Sequence, residues 1–277
     1  MTVLSGYDPA RVTAGGVAGE VARLAAQAAL TFGEELRILR ELGLPERDPL
    51  VDIGCGTGEV TGRLRAACPG LRVAGVDASL DLLAHARSRG IPLAGGSAGR
   101  LPLRSGSAGS VLLRYVLQHL PAPDPVLAEA RRVLRPGGLL AVVEVDEALW
   151  GLAQPVFPEI EVIHRKAALA RRGTGTNRQV VRELPRRLRR AGFTGVVVRP
   201  FAVTNDQVPT DSFAAHLGPG QFAPLVADGA LSLADLSVAA GVWNRFRADP
   251  DAWVLLLGLV IAGYAPGCPD RTPGRTT

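Results

Sequence analysis

The residues best suited to bind a ligand lie in the glycine-rich segment LVDIGCGTG, at positions 50–58. Its apolar start predicts a buried parallel strand, and three glycines at alternate positions predict a tight loop after it. Because glycine has no Cβ, a ligand can contact the main chain of such a loop. Apolar residues then follow at helical spacing, at Val60, Leu64 and Ala67. A strand, a glycine loop and a helix in this order present backbone N–H groups to a ligand at the carboxyl edge of a parallel sheet.

A second acidic position narrows the class of ligand. Residues 71–77 predict another strand, which ends at Asp77. A carboxylate placed there can accept hydrogen bonds from both ribose hydroxyls of an adenosine. The glycine spacing lacks the last glycine of the dinucleotide fingerprint, and it does not fit the P-loop pattern GxxxxGK[ST]. The pattern therefore predicts an adenosine-containing ligand that is not held by a P-loop.

Four ordered blocks resemble the class I S-adenosylmethionine-dependent methyltransferases, especially the small-molecule branch that includes ubiquinone- and menaquinone-biosynthesis enzymes. The blocks are VDIGCGTGEV, VAGVDAS, LLRYVLQHLPAP and EARRVLRPGGLLAVVEVD, within residues 48–146. The resemblance implies an enzyme that passes the methyl group of S-adenosylmethionine to O, N or C of a small organic molecule by direct displacement, leaving S-adenosylhomocysteine. The long cap insertion described below and the arginine- and alanine-rich composition are typical of secondary-metabolite biosynthesis.

The elements that must position these residues alternate along the chain. Strands are predicted at 50–53, 72–76, 110–114 and 138–145, with helices at 59–67, 79–89 and 124–134 between them, and residues 136–138 as the turn after the last helix. This alternation predicts an α/β fold with a doubly wound, mostly parallel sheet. The resemblance implies a Rossmann-like sheet of seven strands, in which 195–203 and 253–264 pair as a hairpin at one edge. Further helices are predicted at 155–171 and 178–191.

The order of these elements divides the chain into four predicted regions. We expect an N-terminal helical lid at 1–45, a methyltransferase core at 46–203 and 251–265, a cap insertion at 204–250 and a disordered tail at 266–277. The lid is predicted to hold two helices between Glu20 and Leu42, interrupted near 31–33, after a mobile start at 1–19. In the cap, residues 231–246 have a helical pattern with Ser232 as the N-cap.

The resemblance assigns the cofactor contacts. The loop with Asp52 surrounds the methionine portion, Asp52 either binding its ammonium or bracing the loop. Asp77 binds the ribose, the alternative being the N-cap of the next helix, and Arg114 reaches the carboxylate. The predicted cofactor-binding residues are Asp52, Gly54, Cys55, Gly56, Gly58, Asp77, Ala78, Ser97, Ala98, Arg114 and Arg23.

Two positions depart from the pattern of this family. Relatives commonly carry an aspartate where this chain has Ser97, which weakens the expected contact to the adenine amino group. They also usually carry an aspartate at the position of Gly109.

Arg23 and Gln27 lie one helical turn apart. They are expected either to close over the cofactor carboxylate or to form a solvent-exposed pair.

Three residues are candidates for the chemistry itself. His119 follows the predicted strand at 110–114, and Glu144 and Asp146 lie at the end of the predicted strand at 138–145, so all three are expected at the carboxyl edge of the sheet. A histidine titrating near neutral pH is suited to act as a general base, although His119 has ordering of the loop as its alternative role. Further side chains expected near the site are Tyr7, Gln118, Trp150 and Phe157, with His164 and His216 interpreted as packing residues.

Composition restricts the partners. The net charge is +5, Lys166 is the only lysine, and the basic segment 182–190 has the spacing of an amphipathic helix with a solvated face, so no nucleic-acid partner is expected. Cys55, Cys68 and Cys268 have no metal-ligand spacing, and no metal is predicted. The most apolar segment, 253–262, is too short to cross a bilayer. We expect a cytoplasmic monomer or homodimer that acts on a small molecule.

Two rival functions remain open at this point. Some proteins of this fold bind S-adenosylmethionine but catalyse a cyclisation or other rearrangement, and a partner that binds the cofactor without catalysis is a third possibility. Formation of S-adenosylhomocysteine separates methyl transfer from both rivals.

Overall fold

The computed structural model describes residues 7–10, 13, 15–45, 47–147, 152–172 and 176–267. The strands are β1 (Pro49–Ile53), β2 (Arg72–Asp77), β3 (Leu93–Gly95), β4 (Ala108–Arg114), β5 (Leu134–Glu144), β6 (Leu152–Gln154), β7 (Thr194–Thr204) and β8 (Trp253–Tyr264). The helices are α1 (Gly16–Glu41), α2 (Glu59–Ala67), α3 (Leu80–Ala86), α4 (Asp124–Val133), α5 (Pro158–Arg172), α6 (Leu184–Arg190), α7 (Ala214–Leu217), α8 (Ala223–Ala227) and α9 (Leu233–Ala248).

The strands form one sheet in the order β3-β2-β1-β4-β5-β8-β6, and β7 pairs with β8 as well. Strands β1 to β5 are parallel to one another, and β8 is antiparallel to β5, β6 and β7. The predicted α/β fold with a doubly wound, mostly parallel sheet is confirmed, as is the hairpin of the last two long strands. The described sheet has eight strands, because the three-residue strand β6 adds to the expected seven.

Helices cover both faces of the sheet, which is the arrangement that parallel strands require. Val51 and Ile53 of β1 pack in a core with Leu127 of α4 and Leu184 of α6. Leu50, on the opposite face, packs in a second core with residues of α1 and α2. The alternation along β1 thus places one strand in two cores, and the sheet separates them.

One long helix, α1, replaces the two helices predicted between Glu20 and Leu42. The predicted break at 31–33 is wrong because Thr31 is satisfied inside the helix: its Oγ1 donates to Glu35 Oε1 at 2.6 Å and lies 3.3 Å from Gln27 O. Thr31 and Leu30 are buried, so packing holds this turn in place. Low intrinsic propensity is outweighed here by tertiary contacts.

Several predicted helix ends also move. Helix α3 stops at Ala86 and a 3-10 turn covers Arg87–Arg89, while α4 ends at Val133 and β5 already begins at Leu134. Pro136 disfavours helical backbone at the residue before it, so the chain is extended ahead of the predicted turn. The helix predicted at 178–191 is a 3-10 turn, Val180–Arg182, followed by α6, since Pro185 fits only the first turn of a helix.

Helices α5, α7, α8 and α9 share apolar contacts with one another and with β8. Phe213, Trp243 and Phe246 pack with Val254 and Leu256 of β8. Helix α9 begins after Ser232, whose Oγ accepts from Asp235 N at 3.1 Å while Asp235 Oδ2 accepts from Ser232 N at 2.9 Å. The predicted N-cap at Ser232 is confirmed as a reciprocal capping box. The division of the chain into lid, core and cap stays a prediction.

Candidate functional site

The glycine loop joins β1 to α2 at the point where the strand order reverses, between β1 and β4. Gly54, Gly56 and Gly58 have φ of 75°, 54° and 68°, the left-handed region that favours glycine. A Cβ on Gly54 would lie 2.4 Å from Val116 Cγ2, so close packing also requires glycine there. Crevices at such a reversal, outside the carboxyl ends of the strands, are where open α/β sheets bind ligands.

Asp77 ties this loop to the next strand. Its Oδ2 accepts from Gly56 N at 2.7 Å and its Oδ1 accepts from Ser79 N at 2.7 Å. Burial raises the pKa of the Asp77 carboxyl, and the backbone hydrogen bonds to Ser79 and Gly56 oppose that rise. The N-cap of α3 is Ser79, whose Oγ accepts from Leu82 N at 3.3 Å, so the alternative role considered for Asp77 is filled by its neighbour.

A cavity of about 330 Å³ opens beside Asp77. It is lined by Tyr7, Asp8, Pro9, Asp77, Ala78, Ser79, Leu80 and Asp81. A carboxylate offers about four acceptor positions, so Asp77 keeps acceptor capacity after its two backbone bonds. The left-handed loop, the spare carboxylate acceptors and the adjoining cavity together fit an adenosine-containing group.

The side chains of Asp52 and Cys55 are buried beneath the loop rather than exposed at its surface. Asp52 is only 2% exposed, and its Oδ2 accepts from Thr61 Oγ1 at 2.6 Å, which links β1 to α2. Burial raises the pKa of Asp52 to about 6, and burial also raises the pKa of the Cys55 thiol. Of the two roles considered for Asp52, the contact seen in the structure is the one that braces the loop.

The two departures from the family pattern lie in different places. Ser97 follows β3, beside Gly96, whose N donates to Asp77 O at 2.9 Å, and Ala98 packs against the core. Gly109 lies at the start of β4, at the opposite edge of the sheet, and a Cβ there would lie 2.5 Å from Asp48 Cβ. Asp48 is paired with Arg135. The missing side chain at 109 therefore does not bear on the ligand-binding edge.

Helix α1 presents a buried polar stripe to this edge. Arg114 Nε donates to Glu35 Oε2 at 2.8 Å and Arg114 Nη2 donates to Thr31 Oγ1 at 3.0 Å. The Arg114 side chain is 8% exposed and that of Glu35 2% exposed. The structure thus binds Arg114 to α1, where the cofactor carboxylate was expected as its partner.

The start of the same stripe holds the predicted residue Arg23. Arg23 Nε donates to Glu20 Oε2 at 2.7 Å and Nη2 donates to Glu20 Oε1 at 2.6 Å. Glu20 also accepts the hydroxyl of Tyr7, and burial next to Glu20 raises the pKa of Tyr7. The considered solvated pair of Arg23 with Gln27 is not what the structure shows, because Gln27 is buried and Arg23 is bonded to Glu20.

His119 lies in the loop after β4 and contacts Tyr7, which is bonded to Glu20 of this stripe. Its ring centroid lies 5.0 Å from that of Tyr7. Burial, with the nearby charges of Arg178 and Arg23, lowers the pKa of His119 to about 3. His119 is therefore a neutral imidazole throughout the physiological range.

Tyr115, in the same loop, has a φ of 55°, which is an uncommon conformation for a residue with a side chain. Strained backbone of this kind concentrates at functional sites.

Glu144 supports the loop from below. It is fully buried, and its Oε1 accepts from Leu117 N at 2.8 Å and from Gln118 N at 3.3 Å. Burial raises the pKa of Glu144 to about 8, so this acid is mostly protonated at neutral pH. Its observed contacts position the 3-10 turn that carries His119.

Asp146 forms an ion pair with Arg182, which is distant in the sequence. Arg182 Nη2 donates to Asp146 Oδ1 at 3.0 Å, and Arg182 Nε donates to Asp146 Oδ2. Asp146 is 4% exposed. A buried carboxylate held in this bidentate manner is poorly placed to accept a proton from a substrate.

A larger cavity of about 600 Å³ lies between α5 and α9. Its apolar wall includes Phe157, Trp243 and Phe246, and its polar part includes Arg171 and Arg178. Trp150 lies outside the described residues. His164 lines the cavity with its ring 5.3 Å from that of Phe222, whereas His216 is buried in α7.

Two groups near the site escaped the sequence analysis. Glu20, Thr31 and Glu35 belong to the stripe on α1, and their three- and four-residue spacing with Arg23 and Gln27 was a usable signal of a polar face. Arg178 carried no such signal, because it follows a loop and its surroundings come from other parts of the chain. Within the described ranges, no helix combines the length and hydropathy needed to cross a membrane, and no cluster of three or more ligand-type side chains could hold a metal ion.

Comparison with known proteins agrees with this geometry. Residues 51–142 match a family model described as a methyltransferase domain. The trans-aconitate 2-methyltransferase of Deinococcus radiodurans is 40% identical over 101 residues, which cover 36% of this chain and 39% of that protein. The ubiquinone/menaquinone biosynthesis C-methyltransferase of Syntrophotalea carbinolica is 30% identical over 146 residues, 49% of this chain and 59% of that protein.

A solved structure resembles the fold over most of the chain. The phosphoethanolamine N-methyltransferase 2 of Haemonchus contortus, in complex with phosphomonomethylethanolamine and S-adenosylhomocysteine, matches with a TM-score of 0.53 and 19% identity, covering 87% of this chain and 56% of that one. The chain spans about half the length of the curated relatives it matches. The comparisons confirm the resemblance noted in the sequence.

Proposed function

We propose, on the premise that residues 51–142 form a methyltransferase domain of the class I type, that this chain transfers the methyl group of S-adenosylmethionine to a small organic molecule. The observation that carries the proposal is the left-handed glycine loop bonded to Asp77 at the reversal of strand order. That loop lies inside the matched segment. The structural relative solved with S-adenosylhomocysteine supports the choice of cofactor.

The two cavities would bind different ligands, the cofactor in one and the acceptor in the other. Asp77 would hold the ribose and the glycine loop the methionine portion, while the cavity of about 600 Å³ between α5 and α9 would hold the acceptor. Bound S-adenosylmethionine supplies an electrophilic methyl group on a sulfonium centre. Holding an acceptor in line with such a group can account for about 7–11 kcal/mol of the barrier in favourable cases. The chain therefore has to position and desolvate the acceptor more than to activate it.

The acids and histidine at the site favour an acceptor that needs no strong base. Asp146 is bonded to Arg182, Glu144 is protonated at neutral pH, and the pKa of His119 is lowered to about 3 by burial. A base with so low a pKa removes a proton only from an acidic group. We therefore propose His119 and Glu144 as positioning residues, and an acceptor atom that is nucleophilic as bound, such as a carboxylate oxygen, a neutral amine or an ionised phenol.

The finer substrate class is also a proposal. An apolar cavity of this size between α5 and α9 suits a small organic molecule, in keeping with a secondary metabolite. The named activities of the relatives, on trans-aconitate and in quinone biosynthesis, differ too much in substrate to choose among acceptors.

Calorimetric titration with S-adenosylmethionine and S-adenosylhomocysteine tests the cofactor site. We expect the unmodified chain to bind both, and the Asp77→Ala variant to bind at least about tenfold more weakly, since hydrogen bonds to a charged group contribute about 1.5–3 kcal/mol. Asp206→Ala removes an exposed carboxylate elsewhere and is the matched control. Equal binding by both variants would contradict the proposal.

Product analysis then separates methyl transfer from its rivals. Radiolabelled methyl uptake by a phenol, amine or carboxylate, with release of S-adenosylhomocysteine, supports the proposed activity. Tight cofactor binding without methyl uptake would favour the rearrangement or the non-catalytic partner considered from the sequence.

A further inference from the structure

Arg178 lines the larger cavity at the end nearest His119. Backbone hydrogen bonds hold its segment: Asn177 N donates to Gln118 O at 2.9 Å, and Glu147 N donates to Arg178 O at 3.1 Å. The residue is half-buried, and its charge acts on His119. His119 in turn contacts Tyr7, which lines the smaller cavity, so Arg178 is near a residue that touches the wall of that cavity.

The charge of Arg178 is not balanced by a partner of its own. The neighbouring cation Arg171 donates from Nη1 to Glu147 Oε1 at 2.9 Å, and Arg23 is bonded twice to Glu20. Arg178 makes no side-chain hydrogen bond or ion pair with the part of the chain that the structure describes. Burial and the charge of Arg171 lower the pKa of Arg178 to about 10, so the guanidinium remains cationic at neutral pH.

Glu147 lines the same cavity and attracts the Arg178 guanidinium, but its carboxylate already accepts a hydrogen bond from Arg171. The remaining ionisable groups of the cavity do not cancel the charge of Arg178. Glu144 faces Arg178 through the turn but is mostly protonated, because burial raises its pKa to about 8. Glu161 also lines the cavity and is solvent-exposed on α5, and burial lowers the pKa of His164, which leaves that ring neutral. A half-buried guanidinium without a carboxylate partner is costly, and a bound anion would repay that cost.

The rest of the cavity is suited to an apolar body. Phe157, Trp243 and Phe246 provide aromatic surfaces, with Ile160 and Val242 between them. Apolar pockets with a few placed polar groups orient a ligand by those groups. The distribution of apolar and cationic groups thus specifies both ends of a ligand.

We propose that the acceptor is an aromatic or otherwise apolar small molecule that carries one anionic group, a carboxylate, sulfonate or phosphate, and that Arg178 binds this group. The inference rests on the proposed function for the identity of the cavity as the acceptor site. Binding of the anion at the His119 end would fix the acceptor beside the cofactor cavity. Arg178 is then a specificity-determining residue.

Two matched probes test the anion site without any need for turnover. Anilinonaphthalene sulfonate and its uncharged parent, phenylnaphthylamine, differ only in the sulfonate, and both fluoresce in apolar cavities. We expect Arg178→Gln to weaken binding of the sulfonate by about tenfold or more and to leave binding of the neutral probe within about twofold. Arg165→Gln, which removes an exposed arginine from α5, is the control and should change neither.

A second measurement keeps the test decisive if Arg178→Gln does not fold. In the unmodified chain, raised salt should weaken the sulfonate more than the neutral probe, and Arg178→Lys should keep part of the preference. Equal losses for both probes in Arg178→Gln, or no preference for the sulfonate, would overturn the inference. Calorimetry with S-adenosylmethionine is run on the same samples, so failure of the cofactor site is distinguished from failure of the anion site.

Discussion

At the scale of single residues, Glu144 combines full burial with two backbone hydrogen bonds to the turn that carries His119. We predict that Glu144→Gln retains methyl transfer and cofactor affinity, because the amide oxygen can accept the same two N–H groups. Glu144→Ala leaves those donors unsatisfied and should lower the free energy of unfolding by about 1–3 kcal/mol. Chemical denaturation and methyl uptake at neutral pH measure both effects.

The two substitutions at 144 also separate positioning from catalysis. A folded Glu144→Gln protein with normal affinity for S-adenosylmethionine but without turnover would mean that Glu144 exchanges a proton during the reaction. That result would contradict the positioning role and restore the acid to the set of catalytic candidates.

Single residues differ in how far the sequence predicts their roles. The glycine loop and Asp77 are recognisable because their geometry is local: left-handed glycines and a strand-end acid lie within one βαβ unit. Arg114 and Asp146 have the expected position at the sheet edge, but their partners lie far along the chain. Glu35 is on α1 and Arg182 lies in the 3-10 turn after α5, and no spacing rule connects such pairs.

At the scale of elements, the sequence predicted α1 least well. Its buried polar stripe reaches the carboxyl edge of the sheet through Arg114, and its continuity depends on packing that a periodicity search does not include. The short strands β3 and β6 were missed for a related reason, since three residues are too few to show alternation. The long strands and α2 were predicted within a few residues because their apolar spacing alone determines them.

The Arg114–Glu35 pair offers a direct measure of this contact between helix and sheet. Both side chains are almost fully buried, so removal of one partner leaves a buried charge. We predict that Glu35→Leu or Arg114→Leu alone lowers the free energy of unfolding by about 3–5 kcal/mol, and that the double variant costs clearly less than the sum. A double-mutant cycle by urea denaturation gives the coupling energy.

The exposed pairs of Arg37 with Glu34 and Glu41 on the same helix are the matched control. Arg37→Leu should change the free energy of unfolding by an amount close to the experimental error, because solvent screens those charges. An additive result for Arg114 and Glu35 would contradict the buried contact.

At the scale of the whole molecule, the buried ionisable groups predict how stability depends on pH. The pKa of Glu144 is raised to about 8 and that of Asp52 to about 6, both by burial, so the folded state holds protons that the unfolded state releases. These two groups lower stability as pH rises through those windows. Burial lowers the pKa of His119 and His216 to about 3, so each contributes stability that is lost as pH falls below the ordinary histidine value of 6.5.

The two sets of groups oppose each other below pH 6.5, where the histidine contributions fall on acidification and those of the two acids rise. Above pH 6.5 the contributions of both histidines and Asp52 level off, whereas that of Glu144 keeps falling until about pH 8. We therefore predict a nearly flat profile from about pH 5 to 6.5 and a loss of roughly 1–2 kcal/mol from about pH 6.5 to 8. Urea denaturation across this range measures it.

Single substitutions identify the group responsible for each part of the pH dependence of stability. Glu144→Gln should remove the loss above pH 6.5, because the amide does not ionise in either state. His216→Gln should make the variant gain stability on acidification relative to the unmodified chain, and His85→Gln, an exposed histidine on α3, should leave the profile unchanged. The contradicting outcome is a Glu144→Gln protein that loses stability on the acid side and still keeps the loss of stability above pH 6.5. That result would show that a group other than Glu144 titrates above pH 6.5.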